Sequence, residues 1–255
     1  MERKSILPAV WDVPEIFRQR LGNSVGRQRA MFADGHLLLI LHAPPGPEDL
    51  ERTGRFFWRK PDGTWSSTEP GAGIQALQKH LDSYESLLEA LEAEDDAATS
   101  SEDYFSIIYR LSPVYRASRN QHQALQQARE YVPEDRDLIN FRDRAYKVER
   151  TAELLEQDAR HSLEFEIARR AEEQAKNSYQ MSVSAHRLNV LAAFFFPLVT
   201  LCAIFGTNLK HGLEDWPGPY PLIGLLVIGL LMGMFLKTVI TRKADISDQL
   251  KNQQE

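Results

Sequence analysis

Three neutral residues, Gly206, Thr207 and Asn208, stand together in a polar break between two long apolar runs. Asn208 offers an amide carbonyl, Thr207 a hydroxyl and Gly206 an unencumbered backbone, so the triplet can present oxygens without negative charge. Taken alone it also reads as a glycine helix stop followed by polar loop residues. Lys210 and His211 come next, then Glu214 and Asp215. Little else is spaced for chemistry. The seven histidines are scattered without metal-ligand spacing, and no nucleophile motif accompanies any of them. Cys202 is the single cysteine and lies inside an apolar run, which excludes an intrachain disulfide framework and a cysteine zinc cluster. The acidic stretch EAEDDAATSSED could offer carboxylate oxygens to a hard cation, but acid-rich turns are ordinarily solvated surface. No enzyme and no bound cofactor are expected.

The elements that must position the triplet are the two runs. Leu188–Phe205 is 18 residues and Tyr220–Leu236 is 17, neither with a charge, and each is close to the ~20 residues that cross a hydrocarbon core as helix. Backbone in lipid must be satisfied internally, so residues 206–219 belong outside the bilayer or against an aqueous pore, and a helical hairpin is expected. Arg187 precedes the hairpin and Lys237, Arg242 and Lys243 follow it; the positive-inside rule then puts both termini in the cytoplasm of a multi-pass protein of the plasma (inner) membrane. The N-terminal apolar stretch is broken by Pro8 and ended by Asp12, so no cleavable signal peptide is expected. A net charge of −6 gives no reason to expect nucleic-acid binding.

The region before the hairpin reads as one α+β domain. Gln28–Phe32 and His36–His42 flank Asp34-Gly35, and Arg55–Lys60 and Trp65–Ser67 flank Pro61-Asp62-Gly63-Thr64, two local hairpin signals that predict a small antiparallel sheet. The proline-rich APPGPEDLERTG between them is a loop or short helix. From Ile74 the period changes: Leu77, Leu81, Tyr84, Leu88 and Leu91 recur at three- and four-residue steps, an amphipathic helix. Ser100 or Ser101 can cap the next helix, with Glu102 and Asp103 in its first turn. That helix bends or restarts near Pro113 and ends about Tyr131. The last soluble helix starts near Asp135 or Asp137 and carries a heptad seam, Leu138, Phe141, Ala145, Val148, Ala152, Leu155, Ala159 and Ser162. No proline or glycine interrupts Leu138 to Phe196, so the helix can run unbroken into the first apolar run. Its seam must pack on the preceding helices, on copies of itself or on both, and the small residues Ala168, Ala171 and Ala175 favour close approach within an oligomer.

The string FFFPLVTLCAIFGTN, Phe194 to Asn208, resembles the end of the first membrane helix in the CorA family of divalent-cation channels, where a Pro-Leu lies nine residues before Gly-Met-Asn. Pro197 and Gly206 keep that spacing, and Thr207 replaces the methionine. LINFRDRAYKVERTAELLE is similar to the family's stalk helix, and the order of soluble domain, stalk and C-terminal hairpin agrees. The resemblance implies a mainly α membrane protein, a homopentameric funnel whose first span lines the pore. It also implies the role of the triplet. Mg2+ holds its waters tightly, so neutral oxygens repeated around a ring can select the hydrated ion without stripping it. Asn208 would then contact the metal through its hydration shell.

Helical spacing back from the triplet proposes the pore lining: Ala203, Val199 or Thr200, Phe196, Leu188 or Asn189, and Ser182. Against the family pattern, Phe196 and Leu188 fall where bulky apolar rings constrict the pore, Ser182 where a polar ring stands on the cytoplasmic side, and Val199 where many members have Thr. Gly229 and Gly233 lie four apart on the second span, which would pack outside, facing lipid. One departure concerns the loop, where Lys210 precedes the acids Glu214 and Asp215 and would repel cations. The expected domains are residues 1–136, a cytosolic α+β domain with helical hairpin; 137–187, the stalk; 188–205, the pore-lining span; 206–219, the outer loop; 220–236, the second span; and 237–255, a cytoplasmic tail. The resemblance implies a channel admitting hydrated divalent cations, Mg2+ first, to the cytoplasm, with the bilayer and copies of itself as partners. Two alternatives stand beside it: a Zn2+ or other transition-metal transporter, proton-coupled as in ZntB-like relatives, and a non-conducting scaffold of the same fold.

Overall fold

The computed structural model describes residues 6–49, 51–71, 73–205 and 219–251. The protein is mainly helical with a small N-terminal sheet, and it divides into two compact units, Met1–Arg169 and Arg170–Glu255. In the first unit a short helix α1 (Glu15–Arg20) precedes four strands, β1 (Arg29–Ala33), β2 (His36–His42), β3 (Gly54–Arg59) and β4 (Trp65–Ser67). They pair antiparallel in chain order, as both hairpin signals predict. Ala33 faces His36 across the first turn, where Asp34 (φ 48°) and Gly35 (φ 78°) both take the left-handed conformation that a two-residue hairpin requires. In the second turn the Thr64 carbonyl accepts from the Lys60 N–H at 2.8 Å, and the Asp62 carboxylate accepts from the Thr64 N–H and hydroxyl.

β2 is buried on both faces, a feature its sequence, HLLLILH, carries as an uninterrupted apolar run rather than an alternation. Leu37, Leu39 and Leu41 join a core with residues of three helices: α2 (Gly73–Ala97), α3 (Ser101–Tyr131) and α4 (Arg136–Phe205). Leu38 and Ile40 face the other way, into Leu7, Trp11, Val13, Phe17 and Leu21 of the N-terminal segment. That segment covers the outer face of the sheet, a role its sequence does not announce. Trp11 lies 5.6 Å from Trp58, and Arg18 Nη2 donates to the Trp11 carbonyl at 2.7 Å.

The predicted helical seams are the buried ones. Leu77, Leu81, Tyr84, Leu88 and Leu91 of α2 are buried, and so is every seam residue of α4 from Leu138 to Ala159. They meet Leu111 and Val114 of α3 in a third cluster. The α4 seam therefore packs on the preceding helices of its own chain. Ser100 caps α3 in a full capping box: its hydroxyl accepts from the Asp103 N–H, and the Asp103 carboxylate accepts from the Ser100 N–H at 2.9 Å. These bonds hold the Asp103 carboxyl below its usual range. Pro113 does not restart α3, which runs as one helix past it. The flanking contacts on both neighbours, Leu111 and Val114 buried against α2 and α4, compensate for the one hydrogen bond a mid-helix proline forfeits.

A histidine is enclosed among the polar side chains buried in this core. His80 of α2 is 1 % exposed, with Phe57 and Tyr84 edge-on to its ring and Arg55 Nη1 3.1 Å from its Nδ1. Burial first, and then the Arg55 charge, push its pKa down to about 3, so it is neutral when folded. The unfolded chain regains the ordinary value of 6.5 and binds a proton that the native state refuses. Stability is therefore highest above pH 6.5 and is lost as pH falls from there toward 3. At 1.36 kcal/mol per pH unit, lowering the pH to 5 removes about 2 kcal/mol through this residue. Thermal unfolding followed by circular dichroism at pH 7 and 5 checks it: the loss in wild type should shrink in His80→Gln, and an unchanged loss would assign the pH dependence elsewhere.

Candidate functional site

The second unit holds the C-terminal part of α4 and the helix α5 (Tyr220–Lys251). Beyond Ala159, the described residues of α4 that are buried are Glu166 and Pro197. Glu166 is held by Arg169 one turn on, at 2.8 and 3.0 Å. Ala168, Ala171 and Ala175 are exposed. Among the described residues α4 is the one helix long and apolar enough to cross a membrane by length and composition, and 6 % of its most apolar window is buried. A core helix of a soluble protein would be mostly buried there. The helix continues through Pro197, as expected from the absence of any break before it. Among the described residues of α5 an apolar stretch runs over Leu226–Phe235, inside the Tyr220–Leu236 span expected from sequence.

The proposed lining residues occupy one side of α4. Ser182, Leu188, Phe196, Val199, Thr200 and Ala203 are all exposed, and at 3.6 residues per turn they fall within an arc of roughly 120°. Their common face follows from the spacing by which they were chosen, once the helix is continuous. Phe196 is 75 % exposed and Leu188 68 %, large values for apolar side chains. The Thr200 hydroxyl donates to the Phe196 carbonyl at 2.8 Å, which satisfies it within its own helix. The triplet Gly206, Thr207 and Asn208 and the loop charges Lys210, Glu214 and Asp215 lie outside the described residues.

The opposite side of α4 meets α5. Phe194 and Leu198, about half a turn round from the proposed lining arc, pack on Gly233 and Gly229, the buried positions among the described side chains of α5. A Cβ at Gly233 would stand 3.1 Å from the Phe194 carbonyl oxygen and 3.2 Å from its Cα, so only glycine lets the two backbones come this close. The sequence assigned the glycine pair to helix packing; its partners Phe194 and Leu198 are identifiable only from the phase of α4 relative to α5.

The fold defines a class: a small sheet domain roofed by helices, one of which leaves that domain and carries an exposed apolar end paired with a second helix. No protein-family model matches the chain, and no curated protein matches it. Among solved structures, the one described as the full-length CmaX protein is similar at a TM-score of 0.53, with 16 % identity over 89 % of this chain and 79 % of that one. The complete structure of the CorA magnesium transporter from Methanocaldococcus jannaschii gives a TM-score of 0.45, with 14 % identity over 85 % of this chain and 79 % of that one. The first likeness establishes a shared fold.

The helix contact yields a paired expectation. Gly233→Val should lower the melting temperature of the detergent-solubilised protein by several degrees, because its side chain must displace Phe194 backbone. Gly224→Val, where a Cβ has nothing within 4 Å, should leave it unchanged. Equal effects, read by scanning fluorimetry, would mean that α5 does not rest on α4 through Gly233.

Proposed function

We propose that the chain forms a homopentamer in the plasma membrane and passes hydrated divalent cations, Mg2+ foremost, down their gradient into the cytoplasm. The observation that carries this reading is the division of α4: its seam is buried to Ala159, whereas its uncharged end from Leu188 stands exposed. Water cannot host that end, and a bilayer with neighbouring copies can. Residues 188–205 cross the membrane as the inner span and 206–219 turn outside it. Residues 220–236 return as the outer span, held to the first through Gly229 and Gly233, and 237–255 end in the cytoplasm. The motif resemblance from Phe194 to Asn208 and the shared fold support the same assignment.

Ring symmetry would turn the exposed arc of α4 inward. Phe196 and Leu188 then narrow the path with apolar rings, and such a constriction blocks ions by excluding water. Ser182 provides hydroxyls on the cytoplasmic side, while Val199, Thr200 and Ala203 lie between the Phe196 ring and the mouth. At the mouth Asn208 accepts hydrogen bonds from the waters of the hydrated ion, with Gly206 and Thr207 carbonyls beside it. A neutral carbonyl binds that shell without the inner-sphere grip of a carboxylate, so the ion can leave. Lys210 favours a second reading, a non-conducting scaffold of the same fold, since a ring of lysines near the mouth opposes cation entry that Glu214 and Asp215 would have to offset.

Reconstitution in liposomes separates these readings. Wild-type protein should take up Mg2+ in preference to Zn2+ without a pH gradient, and Asn208→Ala should lose most of that uptake while assembling normally. Flux equal to wild type in Asn208→Ala, normalised to correctly assembled oligomer, would remove the triplet from the mechanism; no flux in wild type would favour the scaffold.

Phe196→Ala should raise the leak of the closed state, because a smaller ring wets more easily. Reduced conduction in a normally assembled variant would show that Phe196 is not the constriction.

A further inference from the structure

The soluble unit contains a cleft of about 550 Å3 that transport does not use, within the size range of small-molecule sites. One wall comes from the connection between β2 and β3, including Pro44, Pro45 and Pro47. The other is a single face of α3, where Phe105, Tyr109, Ser112, Arg116 and Asn120 recur at three- and four-residue steps. Both walls are fixed before any ligand arrives. The Ala43 N–H donates to the Thr53 carbonyl at 2.9 Å and the Gly46 N–H to Asp49 Oδ2 at 2.7 Å. Tyr84 donates its hydroxyl to the His42 carbonyl at 3.0 Å. Between the walls, Gln28 accepts from the His42 N–H and donates to the Ala117 carbonyl at 2.8 Å, which ties the end of β2 to α3.

The polar groups that remain uncommitted are mostly donors. The Arg52 guanidinium, the Asn120 amide and the Tyr109 hydroxyl have no hydrogen-bond partner among the described residues, and Arg116, which donates its Nε to the Ser112 carbonyl and shares its charge with Glu156, has its terminal nitrogens in no hydrogen bond there. The neighbouring acids are largely engaged: Asp49 with Gly46, and Glu156 with Ser112 and Arg160 at 2.6 and 2.9 Å. Glu51 is the exposed acid set against two guanidiniums. Flat apolar surface accompanies this charge, since Phe105 and Tyr109, one turn apart, are 64 % and 58 % exposed. Pro113, which also lines the cleft, has no N–H to return to the Tyr109 carbonyl, so an acceptor is left beside the rings.

We infer that this cleft binds a small organic oxyanion, a carboxylate or phosphate carried on a flat ring. The planar forks of Arg116 and Arg52 suit a carboxylate or phosphate, the Asn120 amide adds a donor, and the ring stacks on Tyr109 and Phe105 opposite the proline wall. Isothermal titration of the full-length protein in detergent tests this with four probes: adenosine monophosphate, 2-naphthoate, adenosine and inorganic phosphate. At least one of the first two should bind saturably, and which one does tells phosphate from carboxylate. Adenosine and inorganic phosphate should each bind about tenfold more weakly or worse, the loss of one modest polar or stacking contact. Arg116→Gln and Tyr109→Leu, both at exposed positions, should each weaken binding about tenfold with the melting temperature unchanged, while Arg150→Gln on another face should not. No saturable binding of either ring-borne anion, affinity unaltered in both cleft variants, or equal affinity for inorganic phosphate or adenosine alone would overturn the inference.

Discussion

The protein depends on one helix being built from two incompatible surfaces. From Leu138 to Ala159, α4 shows a stripe about two residues wide in every seven; each member is buried, those from Leu138 to Leu155 among residues of α2, α3 and the sheet. Past Ala159 the stripe ends and most of the described side chains stand exposed, first polar and charged, then apolar, with Glu166 and Pro197 the buried ones. A single backbone carries both, because no helix breaker falls between them and Pro197 is accommodated within the helix. Burial of the first surface fixes the helix in the first unit. Among the described residues the second meets α5 alone, and exposed leucine, valine and phenylalanine side chains on this scale call for lipid or further copies.

What fixes the start of that helix is polar. Asp135 Oδ1 accepts from the N–H groups of Asp137 and Leu138, satisfying donors that the first turn cannot pair. Its other oxygen accepts from Arg59 Nε at 2.7 Å, a pair with side chains 16 % and 11 % exposed. One carboxylate thus caps α4 and ties it to β3. Farther along, Arg144 reaches Asp82 and Glu85 of α2, and Glu149 meets His122 of α3 at 2.6 Å. These contacts flank the apolar seam on both sides. They add register to an interface whose leucine and alanine contacts would tolerate sliding by a turn, since apolar contacts carry no directional preference.

The transport reading and the cleft use different parts of this architecture. Along the exposed arc of α4 from Phe196 to Ala203, the Thr200 hydroxyl is already satisfied within its own helix, which leaves that stretch as apolar wall and spacer. The cleft is the reverse case: a proline-bordered space in the first unit, where donors without hydrogen-bond partners among the described residues face outward.

The amino-acid sequence by itself determined the elements. Three- and four-residue periods mark the seam helices and uncharged runs the C-terminal pair, while Asp34-Gly35 and Pro61-Asp62-Gly63 specify the turns that place the strands, because these signals act between residues close in the chain. It also singled out the triplet and the lining arc, since a continuous helix converts spacing into a face. It could not say that Leu7, Trp11 and Phe17 roof the sheet, that His80 is sealed beside Arg55, or that the α4 seam finds its partners within its own chain. Nor could it bring the 43–49 segment against α3 to make a cleft. Those outcomes depend on which apolar faces meet across long stretches of chain, and hydrophobic burial is indifferent to sequence separation; only the packed tertiary structure decides them.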